Sequence, residues 1–135
     1  MIAFRILGAL AAGCAASFSA VIVFWLIMLP FNSFESEPVF HYGSRAVDGL
    51  LRGFAFVFVG AVVACRPCRA RAAFGLLPVG VGLYIYGQSY AVSNPFPVWH
   101  FTACVAGGLL AVAIHVWRER RRGQRLQATA APHRV

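Results

Sequence analysis

The chain has 135 residues, of which 60% are hydrophobic and only 12% are charged, and its mean hydropathy is +0.72. An ordinary water-soluble domain carries about 25% charged residues, so this composition excludes one. Apolar runs of about twenty residues recur along the chain, as expected for helices that cross a lipid bilayer. The formal net charge of +8 also occurs in nucleic-acid-binding proteins, but the positions of the basic residues argue against nucleic acid as a partner.

The basic residues are all arginines, and most of them flank the apolar runs on one side. Positive charge in short loops marks the cytoplasmic side of a membrane protein. The arginines on that side are Arg5, then Arg66, Arg69 and Arg71, and then the six from Arg118 to Arg134. This pattern predicts that both termini are cytoplasmic. Because Lys is absent while Ala, Arg and Gly are abundant, we expect a bacterial protein of the inner (cell) membrane.

The first apolar run, residues 6–29, contains no charged residue and ends before Pro30. A cleaved signal peptide is an alternative, because Arg5 precedes the run and small residues lie within it. The run continues through residues 21–27, which exceeds the apolar region of a signal peptide, so an uncleaved helix is favoured. A lipoprotein-type cleavage site before Cys14 is a weaker alternative, because the usual leading leucine is missing.

Turn-forming and charged segments separate three further apolar runs. A segment rich in Ser, Glu and Pro precedes the second run, a cluster of arginines follows it, and residues 93–97 form a proline-containing turn before the fourth. Pro78 in the third run predicts a kink that membrane helices tolerate. The predicted spans are residues 6–29, 46–65, 72–91 and 98–117.

These signals together predict an all-α integral membrane protein with four transmembrane helices arranged as two hairpins, N-in/C-in. Residues 1–122 are expected to form the transmembrane domain. Residues 123–135 are polar, and we expect them to form a disordered cytoplasmic tail.

Pairs of small residues four positions apart are the expected helix-packing positions. Helices in lipid associate through close contacts of such residues, because burial of apolar surface gives little advantage in an apolar solvent. The pairs are Gly49 with Gly53 in the second span and Ala103 with Gly107 in the fourth. In so Ala- and Gly-rich a chain this spacing is common, so it indicates packing rather than function.

The strongest candidate for a functional site is a charged face on the second helix. Arg45, Asp48 and Arg52 are spaced three and four residues apart and therefore share one face. Ionisable residues within a span are rare and mark functional sites, and Asp48 is the expected partner of Arg52. The alternative is a shallow ion pair at the membrane interface that only orients the helix.

Three polar residues on the other helices are expected near the same outer level: Tyr84 and Gln88 of the third helix and His100 of the fourth. If their side chains converge with the second helix, the result is a polar pocket open to the outside. The candidate polar site therefore comprises Asp48, Arg52, Tyr84, Gln88 and His100.

A single CxxC motif, Cys65 to Cys68, follows the second span. Thiolates at this spacing bind soft metal ions, and neighbouring arginines favour the thiolate. Without a second pair this is a weak metal candidate, and inert cytoplasmic thiols are the favoured alternative. We expect no disulfide, because only Cys104 lies toward the outer side. We predict no metal and no cofactor.

Sequence signatures of enzymes are missing, since the chain has no phosphate-binding glycine loop, no HExxH and no GxSxG. It also has no carboxylate deep in a predicted span. We therefore expect no enzymatic activity. The favoured expectation is a small transporter or channel subunit that acts as an oligomer. Besides the lipid bilayer itself, anionic lipid headgroups are expected to bind residues 118–125.

The alternative function is a non-catalytic accessory or scaffold subunit of a larger membrane complex. Such a subunit would bind partner helices through its small-residue pairs. A transporter is expected to need Asp48 and Arg52 individually. A scaffold is expected to tolerate Asp48→Asn but not bulky residues at Gly49 or Gly53.

Overall fold

The computed structural model describes residues 2–34, 38–64, 68–89 and 98–130, and over these ranges the protein is helical apart from a turn at Cys68. Each of its four long helices contains a stretch long and apolar enough to cross a membrane. The prediction of an all-α protein with four candidate spans is therefore confirmed. The helices are α1 (Ile2–Met28), which continues into a 3-10 helix (Leu29–Phe34), α2 (Pro38–Ala64), α3 (Arg69–Ser89) and α4 (Val98–Ala130).

Helix α2 begins at Pro38, eight residues before the predicted start at residue 46. Proline is favoured in the first turn of a helix, because its missing N–H would have no partner there. The earlier start places Asp48 about 15 Å along the helix, at about 1.5 Å per residue, rather than near its mouth. Asp48 is buried. The carboxylate therefore lies within the body of α2 rather than at its end.

Helix α4 continues to Ala130, whereas the sequence predicts a disordered tail from residue 123. Arg, Gln, Leu and Ala all have good helix propensities, which offset the cost of Gly123. Helix α3 likewise runs through Pro78 without ending. The predicted turn at residues 93–97 lies outside the described residues, as do the last five residues of the predicted tail.

Helix α2 is the centre of the bundle, because it packs against α1, α3 and α4, while α3 also packs against α4. Contacts advance in the same direction along α2 and α4, with Gly49 facing His100 and Gly53 facing Cys104, so these two helices run parallel. The buried core is formed by Phe56, Val57 and Ala61 of α2, Ala73 and Leu76 of α3, and Ala111 and Val112 of α4.

The α2–α4 contact contains the small residues that the sequence predicts for packing. A Cβ atom at Gly53 would overlap the carbonyl of Cys104, and one at Gly107 would overlap the carbonyl of Leu50. A Cβ at Gly49 would lie 3.2 Å from the Cβ of Ala103. The two backbones approach this closely only because these positions lack side chains. The chain's own helices therefore occupy this surface, and it is not open to a partner helix.

Two contacts from α4, at Glu119 and His115, hold the end of the bundle where α3 begins. Glu119 Oε1 accepts a hydrogen bond of 2.8 Å from the backbone N–H of Ala70, which caps the first turn of α3 and places a negative charge at its positive end. His115 is fully buried and stacks on Phe58 with ring centroids 4.8 Å apart. These contacts join α3 and α2 to α4 at the same level.

Replacing Gly53 with alanine tests the α2–α4 contact. We expect Gly53→Ala to lower the free energy of unfolding in detergent by about 1–3 kcal/mol, because the added methyl forces the backbones apart. Gly82→Ala is the matched control, since a Cβ at Gly82 meets nothing within 4 Å and alanine is the better helix former. Equal stability of the two variants in thermal unfolding would contradict the packing.

Candidate polar site and cavity

The centre of the site is the Asp48 carboxylate, whose side chain is only 6% exposed. Arg52, one helical turn further along α2, donates from Nε to Oδ1 at 3.2 Å and to Oδ2 at 3.1 Å. Its Nη2 lies 3.1 Å from Oδ2. The Nε–H is therefore shared between both carboxylate oxygens, and Nη2 lies beside Oδ2. Hydrogen bonds between two ionised groups are stronger than neutral ones. The pairing neutralises a charge that would otherwise be costly to bury.

His100, at the start of α4, extends this ion pair to two further helices. Its Nε2 lies 3.2 Å from Asp48 Oδ2, and its Nδ1 lies 2.6 Å from the hydroxyl of Tyr84 on α3. The rings of Tyr84 and His100 also stack, with centroids 5.4 Å apart. Arg52, Asp48, His100 and Tyr84 therefore form one hydrogen-bonded chain, here called the polar network, which joins α2, α4 and α3.

The hydrogen-bond pattern assigns the protons of His100. A carboxylate only accepts, so Nε2 carries a proton and donates to Asp48. In the neutral ring, Nδ1 then accepts from the hydroxyl of Tyr84.

The structure brings together four of the five residues of the predicted site and leaves out Gln88. Gln88 lies one turn beyond Tyr84, next to the end of α3, and makes no hydrogen bond to the network within the described ranges. Arg45 shares the charged face in the sequence but is exposed. Asp48 is instead paired with Arg52 and with His100.

A cavity of about 390 Å³ lies beside the polar network, and residues of all four helices line it. Arg52 and Tyr84 form its polar end. Most of the remaining wall is apolar, and the free thiols of Cys14 and Cys104 also face it. A cavity of this size, with an apolar wall and a few polar groups, is typical of small-molecule sites. No sequence pattern predicts this cavity.

The cavity opens sideways between α1 and α3. These two helices are not among the pairs that pack extensively. No extensive helix contact therefore closes this side of the cavity, which is here called the gap. Phe18 of α1 is 71% exposed and Leu83 of α3 is 48% exposed, and both line the cavity at this gap. On this side the cavity is therefore exposed at the outer surface of the bundle, between the two ends of the candidate spans.

The weak metal candidate at the CxxC motif is not supported by Cys68. Cys65 lies outside the described residues, and Cys68 is disulfide-bonded, so its sulfur is not a thiolate ligand. This corrects the expectation of no disulfide, which rested on only Cys104 lying toward the outer side. Within the described ranges, no group of three or more His, Cys, Asp or Glu side chains is placed to hold a metal ion.

The four candidate spans and the charge-paired network between them are the features of a multi-pass membrane protein with an internal polar site. Comparison of the chain with protein-family models, with curated proteins and with solved structures finds no match. Any function must therefore be argued from the site itself.

Single replacements test how much each residue of the polar network contributes to the free energy of unfolding. We expect Asp48→Asn to lower the free energy of unfolding in detergent by about 2 kcal/mol, because it removes the charge-assisted hydrogen bonds with Arg52, whose side chain is 37% exposed. Tyr84→Phe removes one hydrogen bond, so it should cost about 1 kcal/mol. Gln88→Ala, outside the network, should change stability by less than about 0.5 kcal/mol. An Asp48→Asn protein as stable as Gln88→Ala would contradict the observed pairing.

Proposed function

We propose that the protein is a small transporter subunit that acts as an oligomer and binds its cargo in the cavity beside the polar network. The observation that carries this proposal is the position of Arg52, which is paired with buried Asp48 and also lines the cavity. Charged groups within membrane spans are costly, and they persist where they serve a site or a pathway. A paired arginine at the polar end of a cavity fits a binding role.

The proposed orientation places both termini in the cytoplasm of a bacterial cell and the polar network near the outer face of the inner membrane. Arg118 lies 18 positions after His100, about 27 Å along α4 at the helical rise. This separation is close to the hydrocarbon thickness of about 30 Å. Exposed arginines from residue 118 onward would then meet the cytoplasmic headgroups, where anionic lipids attract them.

An oligomer is part of the proposal, because the cavity is open on one side between α1 and α3. Four helices with such a gap do not enclose a route across the membrane. Large apolar residues of α1 are exposed, including Phe18, Leu26 and Ile27. A second copy of the chain that packs on this exposed face of α1, beside the gap, would complete the wall of a route and leave the gap open to lipid.

The same open face supports an accessory subunit as a second candidate function. A partner helix would then pack in the gap between α1 and α3 rather than on Gly49 and Gly53, whose surface faces α4. Bulky residues at those glycines break the bundle in either case. The discriminating observation is therefore the composition of the assembly.

Mass determination of the assembly separates the two candidates. The tagged protein, wild type and Asp48→Asn, would be purified in mild detergent and weighed intact. We expect both to form an oligomer of the 14.6 kDa chain without other polypeptides, because the network lies inside each protomer. A foreign polypeptide in fixed ratio, or a monomer, would contradict the transporter proposal, and the former would favour an accessory subunit.

A further inference from the structure

Access to the cavity indicates a ligand that is dissolved in the membrane. Ser17 and Phe18, which line the gap, lie near the middle of α1 (Ile2–Met28), about 24 Å along it from its first residue. At this level the gap faces acyl chains when the helices span a bilayer of about 30 Å. A ligand that partitions into lipid reaches the gap directly, whereas a water-soluble one must first cross apolar surroundings.

The charge of the polar network indicates an uncharged ligand. Arg52 carries one positive charge, and Asp48 cancels it at about 3 Å. Since most of the cavity wall is apolar, a charged ligand would leave one unpaired charge in apolar surroundings, which is strongly unfavourable. A neutral ligand avoids this cost.

The free edge of Arg52 indicates a ligand with a hydrogen-bond acceptor. Nε and Nη2 engage Asp48, whereas Nη1 has no hydrogen-bond partner within the part of the chain that the structure describes. A guanidinium has five N–H donors and cannot accept. A ligand that binds at this edge must therefore present an oxygen acceptor, such as a carbonyl.

Aromatic side chains in the wall favour a flat ring over a simple acyl chain. Aromatic pairs gain stabilisation from offset or edge-to-face contacts, which an acyl chain cannot make. The cavity volume of about 390 Å³ also lies within the usual range for small-molecule sites. Four aromatic residues line the cavity: Phe18, Phe56, Tyr84 and Phe101.

We infer that the cavity binds the head group of an isoprenoid quinone, with one ring carbonyl accepting from Arg52 and the isoprenoid tail leaving through the gap between α1 and α3. Such a molecule is uncharged, flat, carbonyl-bearing and soluble in lipid. The inference rests on the proposed function only in treating the cavity as a ligand site. It holds whether the quinone is transported or retained.

The test measures binding of a ubiquinone with one isoprene unit to the purified full chain. Binding is detected as a rise in the midpoint temperature of thermal unfolding. Ser17→Trp fills the cavity and should weaken binding at least about tenfold. Ser19→Trp, exposed on the same helix outside the cavity, is the matched control and should bind like wild type. Arg52→Lys should weaken binding about tenfold through loss of the planar donor edge, whereas Arg45→Lys should not.

Monooleoylglycerol, an uncharged acyl amphiphile with an ester carbonyl, is the second probe. Quinone binding that Ser17→Trp and Arg52→Lys both weaken would support the inference. Binding of monooleoylglycerol but not of the quinone would overturn the quinone inference and leave the proposed ligand site intact. If neither probe shifts the midpoint, or if both shift wild type and Ser17→Trp equally, the quinone inference and the proposed cavity site both fail.

Discussion

Pairing of the buried Asp48 carboxylate is the interaction on which the site depends. Arg52 supplies the opposite charge from the next turn of the same helix, but His100 must come from α4. Close approach of α4 at this level is possible because Gly49 has no side chain, and a Cβ there would overlap the backbone carbonyl of His100 itself. The glycine contact between α2 and α4 and the polar network are therefore two parts of one arrangement.

The number and type of the helices could be predicted because run length and turn chemistry are local properties. The pairing of Asp48 with Arg52 could be predicted as well, because four residues make one turn of a helix. His100 could be placed at the same outer level from the sequence, but its contacts with Asp48 and Tyr84 could not be predicted. They depend on the rotation and register of α4 against α2, which the glycine contacts set. Gln88 shows that shared face and level are not sufficient for a prediction. It lies on the face of Tyr84, but next to the end of α3, and makes no hydrogen bond to the network within the described ranges.

Helix ends and the cavity were harder to predict, for different reasons. The Ser- and Glu-rich residues before Pro38 predict a loop, yet α2 begins at Pro38. Because of this earlier start, Asp48 lies in the body of the helix and not near its first residue. The cavity forms because α1 and α3 do not pack extensively against each other. No local pattern signals such a gap. The disulfide at Cys68 could not be predicted from the expected side of the membrane, because disulfides are rare in a reducing cytoplasm.

The central claim is that Asp48 and His100 interact directly inside the bundle, and a double-mutant cycle measures this interaction. Asp48→Asn and His100→Gln would be made singly and together, and the free energy of unfolding in detergent compared across the four proteins. A direct contact predicts that the two effects are non-additive by at least about 1 kcal/mol. Effects that add within about 0.3–0.5 kcal/mol would contradict the contact, and with it the network that joins α2, α3 and α4.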